Sequence, residues 1–112
     1  MRRTETDDIW LVQFPFSDLT ATKLRPALVI AHHQQEIILV GIFSKIPPYF
    51  LKNTWVLITE DSSNFQLTGL KKTSLIRTEK IATVDISIFV RKLGILPTAS
   101  KGDGFSPTLN GI

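Results

Sequence analysis

The chain has 112 residues, 43% of them hydrophobic and 21% charged, a balance that suits one folded domain and excludes a disordered chain. It has no cysteine, which excludes disulfides, thiolate metal sites and cysteine nucleophiles and leaves the cytoplasm as the expected compartment. A formal charge of +3 favours an anionic partner such as RNA or an acidic peptide.

The opening run from Met1 to Asp8 is polar and acidic after two arginines. No later apolar run approaches the roughly 20 residues of a membrane helix, so neither a signal peptide nor an anchor is expected. Alternation from Ile9 to Phe14 predicts a strand with Trp10, Val12 and Phe14 on one face and Ile9, Leu11 and Gln13 on the other. Pro15 ends its pairing. Trp10 is assigned to the core, whereas Phe16, beside a polar loop, has the better claim to exposure and to stacking on a base.

Ser17 to Leu24 reads as a loop leading to a second strand at Arg25 to Ala31. Pro26 keeps Arg25 out of the helical region and lacks a donor, so it belongs at the strand entrance, with the Arg25 side chain projecting from the loop mouth. His32 to Gln35 is expected to turn. The adjacent histidines would point to opposite faces and cannot easily share an ion, so no metal and no cofactor is expected.

Glu36 to Ile46 is predicted as a long apolar strand ended by Pro47 and Pro48, and Thr54 to Thr59 as a fourth strand. The polar run Glu60 to Asn64 is a loop, and a short turn or helical piece is expected near Phe65 to Leu70. Thr73 to Val84 forms a fifth strand with charge in its middle. Ile86 to Leu96 is read as a last strand, although Ile88, Phe89 and Lys92 also suit a short helix. The domain thus spans residues 1–96. Residues 97–112, with three glycines and two prolines, form an irregular tail. The pattern is mainly β.

Arg77 and Glu79, two apart on a strand, project from one face about 7 Å apart. A carboxylate and a guanidinium so placed can act as base and phosphate stabiliser while a 2′-hydroxyl attacks the neighbouring phosphorus. On spacing alone a plain surface ion pair is favoured. Arg25 adds a second guanidinium suited to a phosphate oxygen, against the simpler reading of a solvated strand-start residue. Ser44 offers a hydroxyl to the same phosphate, although a lone serine is more often a strand-end residue. Trp55 and Phe14 are further rings that can stack on bases or pack inside.

Asp8-Ile9-Trp10-Leu11-Val12-Gln13-Phe14-Pro15-Phe16-Ser17-Asp18, followed by Lys23-Leu24-Arg25-Pro26-Ala27-Leu28-Val29-Ile30, resembles the opening two strands of the MazF/PemK toxin family. The run Ser74-Leu75-Ile76-Arg77-Thr78-Glu79-Lys80-Ile81-Ala82-Thr83-Val84-Asp85 looks like that family's other signature, and the resemblance covers most of residues 7–96. It implies an SH3-like barrel that dimerises, cuts single-stranded RNA at short motifs without a metal, leaves a cyclic phosphate, and is silenced by an antitoxin with an extended acidic tail. By position, Arg25, Arg77 and Glu79 match the family's catalytic residues, and Ser44, Phe16, Asp18 and Lys23 are the candidate substrate-binding residues.

The chain departs from the family pattern in four places. Asp7 stands where a glycine precedes the first strand, and it would be strained if that position needs a positive φ. Phe43 stands where a threonine ends the third strand. Asp18 is the only carboxylate of the first loop, and residues 97–112 do not read as the family's C-terminal helix. These departures keep an alternative open: a catalytically impaired SH3-like module that binds RNA or an antitoxin.

Overall fold

Alternation along three consecutive strands sets the architecture. In a computed structural model, which describes residues 3–13, 24–47, 54–97 and 105–107, these strands are β1 (Asp8–Gln13), β2 (Leu24–His33) and β3 (Glu36–Phe43). Trp10, Val12, Ala27, Val29, Ile37 and Leu39 enter one buried cluster with Phe89. Their sequence neighbours Ile9, Leu28, Val40 and Ile42 enter another with Ile58 and Ile76. Side chains at successive strand positions point to opposite faces, so this sheet is buried on both sides.

The remaining strands are β4 (Val56–Ile58), β5 (Ser74–Asp85), β6 (Phe89–Ile95) and β7 (Phe105–Pro107). They join in the order β6-β1-β2-β3-β5-β4-β7, with every pairing antiparallel. Leu93 on β6 and Leu96 just beyond it pack against the same cluster as Ile58 on β4 and Ile76 on β5. Strands near opposite ends of the order therefore meet across one core, which requires the sheet to curl into a partly closed barrel. The expected mainly β, barrel-like fold is the one observed.

Boundaries differ from the sequence reading in ways that have local causes. The third strand stops at Phe43, its last residue paired with β5, instead of running to Ile46. His32 and His33 belong to β2, opposite Ile37 and Glu36, and the turn is made by Gln34 and Gln35 with Gln34 at φ 58°. Ile86–Ile88 is a 3-10 turn and only the residues after it form a strand; the Asp85 carboxylate accepts from the Ser87 amide at 2.8 Å and starts that turn. Phe65–Thr68 is a second 3-10 turn, as expected for that region.

The tail is not irregular throughout, because the backbone of Phe105–Pro107 pairs with β4, placing Phe105 opposite Ile58. An edge strand offers unpaired amides and carbonyls, and satisfying them needs backbone alone, so the polar composition that argued against structure here was no obstacle.

Asp7 adopts φ 75°, so the position does require the left-handed region in which glycine is strain-free. Its amide donates to the Val29 carbonyl at 2.9 Å and its carbonyl accepts from Leu96 at 2.8 Å, which ties the entry of β1 to β2 and to the end of β6. The next carboxylate, Asp8, is buried. Its Oδ2 accepts from the Glu5 amide at 2.9 Å and from Trp10 Nε1 at 3.1 Å, and Lys92 Nζ lies 3.2 Å from Oδ1. Trp10 meets Phe89 edge-on, with ring centroids 5.6 Å apart, and occupies the core as expected.

The turn at Phe65–Thr68 lies backbone against backbone on β6. A Cβ at Gly94 would overlap the Leu67 carbonyl oxygen and the Thr68 backbone, and one at Gly69, which sits at φ 74°, would overlap the Leu93 carbonyl. Gly94→Ala is expected to lower unfolding free energy by about 1–3 kcal/mol in urea titration. Asp7→Gly is expected to raise it by about 0.5–1 kcal/mol through relief of the left-handed strain.

Candidate active site

Pairing between β3 and β5 runs regularly from Glu36 opposite Asp85 to Val40 opposite Ile81, and then Gly41 faces Arg77. Thr78, Glu79 and Lys80 are left without partners on β3, forming a bulge in the middle of β5. Thr78 Oγ1 donates to the Thr54 carbonyl at 3.0 Å and ties the bulge to the segment entering β4. Glu79, at its centre, turns back on Arg77. Arg77 Nε and Nη2 donate to Glu79 Oε2 at 3.0 and 2.7 Å, and Trp55 Nε1 donates to Oε1 at 2.7 Å. The bases of the two side chains are about 7 Å apart on a strand, and their length lets them close that gap as a hydrogen-bonded pair within the bulge.

Aromatic rings hold the guanidiniums. Arg77 Cζ lies 4.8 Å from the centroid of Trp55 and 5.4 Å from that of Phe43. Arg25 Cζ is also 5.4 Å from the Phe43 centroid. Both guanidiniums therefore meet the same ring. Gly41 pairs with Arg77 on one side and with Ala27 on the other, so at the centre of this face there is no side chain on β3 and only a methyl on β2. Phe43, read from sequence as the loss of a hydroxyl, is the plate on which both arginines rest. The face of an aromatic ring attracts a cation, and a guanidinium sheds water more readily than an ammonium, so this stacking suits arginine.

Burial raises the Glu79 carboxyl pKa, but the Arg77 hydrogen bonds, a backbone hydrogen bond, the Trp55 donor and the Arg77 charge together outweigh it and hold the group below its usual value. Glu79 is thus ionised at neutral pH, with side-chain exposure of 38% against 30% for Arg77. A carboxylate oxygen has two lone pairs. Oε2 accepts twice from Arg77, Oε1 accepts from Trp55, and the backbone of Glu79 itself donates to the same carboxylate.

The structure brings together three of the residues singled out in the sequence: Arg25, Arg77 and Glu79. Ser44 lines one groove with Arg25 but lies off the face that carries the Arg77–Glu79 pair. Its neighbour Phe43 faces the arginines, and Ser44 lines a groove on the other side of the strand with Ile42 and Ser74, as alternation requires. Phe16, Asp18 and Lys23 lie outside the described residues, as does Phe14. Sequence reasoning missed Trp55 as the donor to Glu79. The two are 24 positions apart and meet only because β4 and β5 pair with Val56 opposite Ile76. A conserved spacing would not have revealed this; only the strand register does.

The chain matches the family model described as PemK-like, MazF-like toxin of type II toxin–antitoxin system over residues 5–101. Among solved structures it is similar to the Mycobacterium tuberculosis toxin MazF-mt6, with 17% identity, a TM-score of 0.61, and coverage of 91% of this chain and 87% of that one. That likeness concerns the fold. A comparison with curated proteins finds no match.

Trp55→Phe removes a donor that lowers the Glu79 pKa, so the Glu79 carboxyl is expected to titrate at higher pH in the variant. Carboxyl-carbon NMR titration of the two proteins measures this, and an unchanged titration would show that the indole does not act on Glu79.

Proposed function

The chain belongs to the PemK-like, MazF-like toxins of type II toxin–antitoxin systems, and on that premise we propose that it is an endoribonuclease that cleaves single-stranded RNA through Arg25, Arg77 and Glu79. The observation that carries this reading is the meeting of one ionised carboxylate and two guanidiniums around the Phe43 ring.

The ionised Glu79 carboxylate accepts the proton of a 2′-hydroxyl. The 2′-oxygen attacks the adjacent phosphorus, the bond from phosphorus to the 5′-oxygen breaks, and that oxygen leaves with a proton from solvent. A 2′,3′-cyclic phosphate remains. Negative charge builds on the non-bridging oxygens, where the fixed charges of Arg25 and Arg77 stabilise it. Arginine keeps its proton at all working pH values, so Arg77 serves as a phosphate clamp in preference to a general acid. Because contacts hold the Glu79 pKa low, it is a weak base, and the rate falls only when pH drops below the ordinary glutamate range. No step needs a metal. Cytoplasmic location, an antitoxin partner with an acidic tail and a homodimer belong to the same reading.

Purified protein is expected to cut RNA in the presence of a chelator, with Glu79→Gln and Arg25→Ala each slower by about 100-fold or more. Equal cleavage by all three proteins removes the assignment.

A second reading is favoured by one observation. Phe43 holds both arginines on its ring and Glu79 is occupied by Arg77 and Trp55, so substrate must draw three charged groups away from existing partners. On this reading the domain binds RNA or an antitoxin with salt-dependent affinity and does not turn over. A cyclic-phosphate product from the wild-type protein excludes it.

A further inference from the structure

Phe43 closes β3, and the register around it decides what its ring can meet. Gly41 pairs with Ala27 on β2 and with Arg77 on β5, so Phe43, two residues further on, points to the face that these three share. Leu75 is its partner on β5, which makes Arg77 its diagonal neighbour, within reach for a ring and a long side chain. Carried two residues past Ala27, the pairing of β2 with β3 sets Arg25 directly across from Phe43. Gly41 puts no side chain beside them, and both guanidinium carbons come to 5.4 Å from the Phe43 centroid.

The two arginines are not held alike. Arg77 also has the Trp55 ring, 4.8 Å from its Cζ, and two hydrogen bonds to Glu79. Arg25 takes part in neither ion pair found among the described residues, which join Arg77 to Glu79 and Lys92 to Asp8. Among those residues its guanidinium is held by the Phe43 ring. Like charges gathered on one face repel, so Arg25 needs an attraction that keeps it there.

We propose that Phe43 is a positioning residue that holds the Arg25 guanidinium on the face carrying Arg77 and Glu79. The face of a ring attracts a cation without using an N–H donor, so the guanidinium edges stay available to a phosphate oxygen. In the second reading above, substrate draws Arg25 off the ring; here ring and phosphate share it. Phe43 also packs against the buried cluster of Trp10 and Val12, so the core fixes the ring and the ring fixes the charge. The threonine of the family pattern at this position offers a hydroxyl but no such face. The effect on cleavage rests on the nuclease reading; the contact itself does not.

The contact is tested first in the full wild-type chain by proton NMR. A ring lying against a side chain shifts its protons upfield, so the Arg25 Hδ and Hε signals are expected upfield of those of the exposed Arg91. Phe43→Leu, which keeps apolar bulk without a ring, is expected to bring Arg25 to the Arg91 position and to move Arg77 less, because Trp55 stays against it. In RNA cleavage, Phe43→Leu and Phe43→Thr are each expected to be slower than wild type by about threefold or more, and Phe43→Tyr, which keeps the ring, to be faster than both. Arg25→Ala/Phe43→Leu is expected to be no slower than Arg25→Ala alone, since a residue that acts through Arg25 has nothing left to act on. Four results overturn the proposal: wild-type Arg25 signals at the Arg91 position, Phe43→Thr as fast as wild type or faster, equal rates for Phe43→Leu and Phe43→Tyr, or additive losses in the double variant. If the wild-type chain shows the shift and Phe43→Leu loses it, but no RNA is cut, the nuclease reading fails and the placing of Arg25 stands.

Discussion

The break in register between Val40 and Gly41 on one strand and Ile81 and Arg77 on its neighbour is the constraint on which the candidate site depends. Both flanks of β5 stay paired with β3, so the bulge is held in place by regular sheet on either side instead of hanging as a loop. Within it, Glu79 is freed from the pleat and can approach Arg77 and Trp55 together. Trp55, one residue before β4, comes beside the pair through the β4–β5 register that sets Val56 opposite Ile76. The bulge leaves Thr78, Glu79 and Lys80 without partners on β3, and the Thr78 contact to Thr54 together with the Glu79 contacts offsets part of that cost.

The cluster is also a balance between preorganisation and occupancy. Two rings hold the Arg77 guanidinium, and a fixed charge stabilises a developing phosphate charge better than one that must be reoriented first. Yet the same contacts satisfy Glu79 so well that its basicity is reduced. Strong internal pairing and basicity pull in opposite directions in this one carboxylate. Trp55 is central to this, since it is buried and touches both members of the pair at once.

The parts of the fold that were legible in the sequence are those governed by short-range alternation. Trp10 and Val12 against Ile9, and Leu39 against Val40, could be assigned to faces because side-chain direction on a strand has period two. The Arg77–Glu79 pair was legible for the same reason, although its contact distance was not, because bulges have no simple residue signature. Asp7 was flagged by the glycine it replaces, and its φ of 75° bears out that concern. What stayed hidden depended on strands far apart in sequence: the Trp55 donor and the pairing of Phe105–Pro107 with β4. The direction of Ser44 was legible in the sequence, since a residue adjacent to Phe43 faces the other way where the strand continues straight.

Arg25 sits where the two faces of the sheet come closest to sharing a residue. Pro26 follows it, fixing its own φ and steering Arg25 toward extended backbone, and the pairing of Arg25 with Val12 holds that backbone at the strand entrance. From that fixed base the side chain reaches the Phe43 ring, the same ring that Arg77 meets, so the strand entrance sets where both guanidiniums gather.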